Sequence, residues 1–495
     1  MKKPIKIASH PPCTLFLLFA FVSLFCTSTR AAQELLIGFK ATPNPSVSSF
    51  QSLLDDSTGN FSFGFLRVNS THLALAVLHV PSNEPLWLAS PTKLAPWSDH
   101  TQLVFNGSLV IFDPTGRVLW STATEGDQVV LLNTSNLQVQ NFDNSQTVLW
   151  QSFDFPTNTL VENQNFTSTM ALISSNGLYS MRLGNDFIGL YANFKPNTEL
   201  FYWRHKALEA KASIVEGGGP VYIRVNPDGY LGMYQNGSKP VDVEAFSSFQ
   251  WNNNGFLIFR LEPDGNLKGY YWDGSNWVLD YQAISDTCEL PSPCGSYGLC
   301  TPGSGCSCLD NRTEISSGKC VASYPDNLCS GGSGGGGGGG ETRNDFTVLR
   351  RNGVELPFKE LMTHQTTSSQ PQCEGLCERN CSCYGAVYNN GSGFCYLVDY
   401  PIQSLLVVGD ESKMGYFKIR EEAGRKKITA GLGVGIGLLG GAIVCMVAAV
   451  GVGSYRKWRR KRRVKRMLEE DEESGAIPGP YKSLGSASFR SIEMT

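Results

Sequence analysis

The chain has 495 residues, with 41 Lys and Arg against 44 Asp and Glu, for a formal net charge of −3. That balance gives no electrostatic case for a nucleic-acid partner, which a strongly basic domain would carry. With 41% hydrophobic and 11% aromatic residues the chain is too apolar to be wholly disordered, and its length implies more than one domain.

At the N-terminus Lys2, Lys3 and Lys6 precede an apolar stretch from Leu15 to Phe25, and Thr29-Arg30-Ala31 offers a small-residue cleavage site. Residues 1–31 therefore read as a signal peptide. A retained signal anchor is the rival, but the apolar core is shorter than the roughly 20 residues that a span requires. Nine N-x-S/T sequons, at Asn60, Asn69, Asn106, Asn133, Asn165, Asn236, Asn311, Asn380 and Asn390, fit an extracellular chain and predict glycosylation.

Residues 32–285 carry no cysteine, so hydrophobic cores must hold them, and roughly 250 residues point to two domains. Short alternating runs such as Phe61-Ser-Phe-Gly-Phe, Leu103-Val-Phe and Leu109-Val-Ile-Phe are separated by Asn-Gly, Pro-Thr-Gly and Asn-Pro turns. This is the pattern of a mainly β, many-stranded antiparallel barrel or prism. Asn106-Gly-Ser-Leu-Val, Ser135-Asn-Leu-Gln-Val, Asp228-Gly-Tyr-Leu-Gly and Asp264-Gly-Asn-Leu-Lys are variants of one turn-and-strand unit, the mark of pseudo-symmetric sheets.

Those runs, together with Val118-Leu-Trp-Ser-Thr and Val148-Leu-Trp-Gln-Ser-Phe-Asp-Phe-Pro-Thr-Asn-Thr-Leu, resemble the bulb-type (G-type) lectin domain of plant S-locus glycoproteins and S-domain receptor kinases. Arg260-Leu-Glu-Pro-Asp-Gly-Asn-Leu-Lys-Gly-Tyr-Tyr-Trp is similar to the second, S-locus segment of that family. The resemblance implies tandem β-prism-like lectin domains at residues 32–165 and 166–285.

Twelve of the fifteen cysteines lie between Cys288 and Cys395, as expected in an oxidising compartment. The six from Cys288 to Cys320 have gaps of five, five, five, one and eleven residues, and spacing alone leaves fifteen pairings open. With Cys294-Gly-Ser-Tyr-Gly-Leu-Cys300, residues 286–321 resemble the family's EGF-like module. A glycine run at 331–340 reads as a flexible linker. Cys373-x3-Cys377-x3-Cys381-x-Cys383 and Gly393-Phe-Cys395 resemble a PAN/apple domain, which implies an α+β module at 341–420. The resemblance implies Cys288–Cys300, Cys294–Cys306, Cys308–Cys320, Cys373–Cys395 and Cys377–Cys383, leaving Cys329 to pair with Cys381. No CxxC pair or interleaved His argues for zinc, and no metal or cofactor is expected.

The family's mannose site reads Q-x-D-x-N-x-V-x-Y, in which the polar trio hydrogen-bonds sugar hydroxyls. Here the first repeat has Val104, Asn106, Ser108, Val110 and Phe112, and the second keeps only Asn136. The third keeps Asp228 and Tyr234. The fourth comes nearest, with Glu262, Asp264, Asn266 and Tyr270 around Lys268, and these four are the candidate carbohydrate ligands. Structural use of the Asp-Gly turns is the competing reading. Trp251, Trp272, Trp277, Tyr270 and Tyr271 form a second candidate surface, for sugar faces or a protein, against plain core packing.

No enzyme is expected: the six His sit in no H-E-x-x-H and beside no recognisable nucleophile. Ile428 to Tyr455 is uncharged and is followed by nine Lys and Arg between Arg456 and Arg466, so residues 428–453 read as a transmembrane helix and 456–495 as a cytoplasmic tail. Gly433, Gly437 and Gly441 repeat on one helix face, which fits either homodimer contact or the ordinary glycine content of membrane helices. The GxGxxG at Gly435–Gly440 lacks the strand and soluble βαβ unit that would make it a nucleotide site. The acidic and Ser-rich segment after Glu469 is expected to be disordered, and no kinase motif follows the span.

The sequence thus predicts a kinase-less, single-pass receptor-like protein of the plant plasma membrane, N-terminus outside. It would bind a glycan or peptide ligand or a receptor kinase, as co-receptor, scaffold or decoy. The alternative is a mannose-type carbohydrate-binding adhesion or cell-wall contact protein.

Overall fold

A computed structural model describes residues 32–143, 146–196, 198–207, 221–249, 255–310, 314–321, 346–399, 402–420 and 450–462. The predicted signal peptide 1–31, the predicted linker 331–340, and Cys329, Trp251, Asn311, Gly433, Gly437 and Gly441 lie outside these residues. The chain divides into two compact units, 1–420 and 421–495.

The first unit is almost wholly β. Its first prism consists of three antiparallel sheets. The strands Glu34–Leu36, Lys40–Ala41 and Phe50–Asp55 are dealt one to each sheet, in reverse order. Three consecutive strands then complete each sheet: Phe61–Arg67, His72–His79 and Glu84–Leu88; then Gln102–Phe105, Leu109–Phe112 and Val118–Ser121; then Gln128–Leu131, Leu137–Gln140 and Val148–Gln151. Alternation sets the inner face, as where Leu103 and Phe105 point inward to full burial and Gln102 stays exposed. Phe63 and Phe65 are likewise fully buried, each contributing about 1.5–3 kcal/mol. Gly64 between them has to be glycine, because a Cβ there would sit 2.0 Å from the Gln51 carbonyl oxygen on the neighbouring strand.

The second prism repeats the same deal. Thr159–Val161, Asn165–Phe166 and Leu172–Ile173 start its three sheets. They are completed by Tyr179–Leu183, Phe187–Lys195 and Thr198–Lys206; by Tyr222–Asn226, Tyr230–Tyr234 and Asp242–Ala245; and by Leu257–Leu261, Leu267–Trp272 and Trp277–Gln282. Each prism has its own hydrophobic core, and the two meet where Phe256 and Ile258 of the second pack on the first.

The Cys-dense segment and the α+β module are not beads on a string. Gly298–Thr301 of the former runs parallel to Leu405–Val407 of the latter, so both contribute to one four-stranded sheet. Tyr297, Leu299 and Leu309 enter the same core as Val354, Leu356 and Phe417. In the module a five-stranded sheet carries one helix, α1 (Gln370–Glu378). The fully buried Lys418 ammonium donates to the Cys377 and Asn380 carbonyls at 2.8 and 3.1 Å, capping the end of α1. Burial pushes its pKa below the ordinary lysine value.

In the second unit residues 450–462 are helical and exposed. No helix among the described residues is long and apolar enough to cross a membrane. The predicted span 428–453 falls outside them except for its last four residues.

Candidate functional site

The fourth repeat sits on the hairpin between Leu257–Leu261 and Leu267–Trp272, with Asp264-Gly265-Asn266 at its turn. Asp264 Oδ1 accepts the Asn266 amide N–H at 2.8 Å, and Gly265 holds φ +88°, a left-handed conformation that favours glycine. An added Cβ at 265 would stand 2.8 Å from Pro291 and 3.0 Å from Tyr179, so the turn is packed closely against both. Tyr202 donates from its hydroxyl to the Gly265 carbonyl at 2.5 Å.

The four candidate ligands are brought together but turned to internal partners. Asn266 is 3% exposed; its carboxamide donates to the Ile284 carbonyl at 2.8 Å and accepts the Ile284 N–H at 3.1 Å. Tyr270 donates to Glu262 Oε1 at 2.8 Å, and burial and this carboxylate together push its pKa upward. Lys268 Nζ lies 3.5 Å from Asp264 Oδ2. Burial, and secondarily the Asp264 charge, push Tyr179 up to about 12. An incoming sugar would have to compete with these bonds for all but the outward part of Asp264 and Glu262.

At the second repeat the one retained residue, Asn136, is tied into a ladder of carboxamides. Gln128 donates to Gln140, Gln140 to Gln138, and Gln138 to Gln151, at 3.2, 2.6 and 3.1 Å. Asn136 also donates to Gln151 at 2.9 Å, and Gln151 to Asp154 at 2.9 Å. At the third repeat Asn226 donates to the Tyr234 hydroxyl at 3.3 Å, while Asp228 stays exposed. At the first, the Ser108 hydroxyl is used by the backbone at Thr124, and Asn106 is exposed.

The described members of the second candidate surface are packed rather than free. Trp272 and Trp277 meet His79 of the first prism at 5.2 and 5.3 Å, and Phe256 stacks on the same imidazole at 5.7 Å. Burial lowers the His79 pKa to about 4. Arg260 spans the same junction to Glu84 at 2.7 Å. Tyr270 packs with the first prism's core and Tyr271 with the second's.

Sequence reasoning missed one constellation. Trp87, Trp120 and Trp150, each on the last strand of its sheet, meet edge to face at 5.7–6.1 Å. Trp87 Nε1 donates to the Phe155 carbonyl at 2.8 Å, tying the Trp-Gln-Ser-Phe-Asp-Phe-Pro-Thr string to this axis. The signal was a Leu-Trp pair recurring at 86–87, 119–120 and 149–150.

Disulfides join Cys288 to Cys300, Cys294 to Cys306, Cys308 to Cys320, Cys373 to Cys395 and Cys377 to Cys383. Cys381 is also disulfide-bonded. The sulfurs of Cys294, Cys300 and Cys306 crowd together, but as cystines they offer no thiolate to a metal. Asn60, Asn69, Asn106, Asn133, Asn165, Asn236, Asn380 and Asn390 are all exposed.

Paired three-sheet prisms followed by cystine-stapled modules define a lectin-type architecture. A D-mannose binding lectin domain matches residues 85–182, and an S-locus glycoprotein domain matches 231–312. The chain is 58% identical to a PAN domain-containing protein of Arabidopsis thaliana over 482 residues, 97% of this chain and 96% of that protein. It belongs to that family, the PAN domain-containing G-type lectin S-domain proteins. A G-type lectin S-receptor-like serine/threonine-protein kinase of Arabidopsis thaliana is 27% identical over 73% of this chain, which spans 44% of the kinase's length. An EP1-like glycoprotein of the same plant is 25% identical, over 76% of this chain and 87% of that protein. The matched domains are lectin-type and not catalytic.

Proposed function

We propose that this chain is a receptor-like protein of the plant cell surface, anchored by a single span at 428–453 with its N-terminus outside. Its ectodomain binds an extracellular ligand or a second receptor, and a partner kinase carries the signal. The observation that carries this reading is the 58% identity to a PAN domain-containing protein along 97% of this chain and 96% of that protein, beside 27% identity to a G-type lectin S-receptor-like kinase over 73% of this chain. The inward use of Asn266 and the Glu262–Tyr270 pair support protein recognition over sugar recognition. Crosslinking in native membranes followed by affinity purification should recover a receptor kinase, and recovery should fall when Gly433 and Gly437 are changed to Ile. Absence of any kinase would overturn the co-receptor role.

Carbohydrate binding at Glu262, Asp264, Asn266 and Tyr270 is the second reading, favoured by the Asp264 side chain, which is 42% exposed at the hairpin. It requires glycan-array binding that is lost in Asp264→Ala. Silence across a broad array would remove it.

A further inference from the structure

A cavity of ≈ 380 Å³ lies between the second prism and the PAN module. One wall is the hairpin of Phe187–Lys195 and Thr198–Lys206, which brings Phe194 and Leu200; the other brings Leu361, Met362 and Leu397 from the PAN module. Phe358 beside them is buried in the prism's own core, so the two walls are fastened together. The space is of the size that holds a small ligand, or one large side chain with its backbone.

Most polar groups on the lining are already used. Glu199 is held by Arg182 at 2.5 Å, Gln403 by Ser292 and Ser296, and Ser404 by the Pro291 carbonyl. Two charges remain, from opposite walls: Lys195 on the prism and Asp399 on the PAN module. Among the described residues neither side chain makes a hydrogen bond or an ion pair, although the two feel each other's charge. Burial pushes the Asp399 carboxyl up, and the Lys195 ammonium partly offsets this.

A cation and an anion flanking an apolar floor discriminate among ligands. A sugar could bond both charged groups through its hydroxyls but would set hydroxyls against the apolar walls at Leu200, Leu361 and Met362, and a fatty acid would satisfy Lys195 but lay its chain against the Asp399 carboxylate. An apolar residue at a peptide's C-terminus answers all three features. We propose that this cavity binds the C-terminal residue of a short peptide. Its side chain lies among Phe194, Leu200, Leu361 and Met362, its terminal carboxylate accepts from Lys195 Nζ, and its amide N–H donates to Asp399. The site rests on the reading of the ectodomain as a ligand-binding module and names the ligand class.

The test titrates the full-length protein, in detergent micelles, with fluorescent Gly-Gly-Gly-Phe as free acid and as C-terminal amide. The acid should bind at least about tenfold more tightly than the amide, since a charge-assisted hydrogen bond is lost. Lys195→Glu, at an exposed position, should abolish that preference, and Met362→Trp should block both peptides. No saturable binding, equal affinity of acid and amide for the unmodified protein, or a preference that survives Lys195→Glu would overturn the site. Kinase capture without peptide binding would sink this site alone, and peptide binding without kinase capture would sink the co-receptor reading alone.

Discussion

In the first prism the strands Glu84–Leu88, Val118–Ser121 and Val148–Gln151 each carry a Leu-Trp pair, and Trp87, Trp120 and Trp150 close the axis edge to face. In the second, the corresponding strands Thr198–Lys206, Asp242–Ala245 and Trp277–Gln282 bring no such trio, although the strands are dealt to the three sheets in the same order. Its interior is filled instead by Tyr179, Tyr202, Phe246 and Phe259. Phe246 stacks on Phe259 at 5.7 Å, and the Tyr202 hydroxyl reaches the fourth-repeat turn. One topology therefore tolerates two fillings: the first prism closes its axis with its own repeats and takes Phe256 and Ile258 from the second, while the second is completed from the modules that follow, with Pro291 on its turn and Phe358 in its core. The difference leaves the second prism's borders, at Gly265 and around Phe358, shared with the modules that follow it.

The sharpest test of that difference is Trp87→Ala. Trp87 is 6% exposed and holds both partner indoles and the Phe155 carbonyl, so truncation should cost about 3–5 kcal/mol. Calorimetry of the full-length protein should show a low-temperature transition from the first prism moving downward while the second keeps its place. A single transition shifted as a whole would mean that the prisms unfold together through the Phe256 and Ile258 contacts, and the contrast in filling would carry no difference in stability.

Much of this was legible in the sequence for a simple reason. Period-two alternation, as in Leu103-Val-Phe105, reports which face a strand buries, and Asx-Gly turns report where a hairpin closes. Both are local, so the mainly β class and the repeat units could be read directly. What pairs over long distance could not. Nothing near Trp272 and Trp277 announces that their partner is His79, and nothing near Gly298 announces a parallel neighbour at Leu405. At the fourth repeat the residue types were readable as a ligand set, but the direction of Asn266 was not. Its carboxamide is drawn inward by the Ile284 backbone, 18 residues further on.

The junction between the prisms gives the next largest effect. His79 is 3% exposed among Phe61, Phe256, Trp272 and Trp277, and its folded pKa of about 4 lies below the ordinary 6.5. Between these values the unfolded chain binds the proton and the folded one does not, so stability rises with pH across that window. The contribution, about 3 kcal/mol, is fully present above pH 6.5, is lost as pH falls to about 4, and changes no further below. His79→Phe, which keeps a ring in the cluster, should flatten the slope of denaturant stability between pH 6.5 and 4. An unchanged slope would assign the acid sensitivity to other groups and leave the junction a passive contact.

The smallest effect separates inside from outside at the fourth-repeat turn. Tyr202→Phe keeps the ring but removes the hydroxyl that donates to the Gly265 carbonyl, and burial leaves that carbonyl without a substitute. Loss of one such buried partner should cost about 1–3 kcal/mol. Asp264→Ala removes a half-exposed carboxylate whose bonds are to the Asn266 N–H and, at 3.5 Å, to Lys268, so its cost should be smaller, about 1 kcal/mol or less. Equilibrium denaturation of the two variants measures the order directly. If the hairpin serves mainly as a packed element of the second prism, Tyr202→Phe is the more damaging change and neither variant alters ligand capture. If Asp264→Ala proves the more costly, or abolishes capture while stability holds, the weight of the turn lies on its solvent side, and the contrast drawn between the two prisms fails at the very repeat where the sugar-binding residues are best kept.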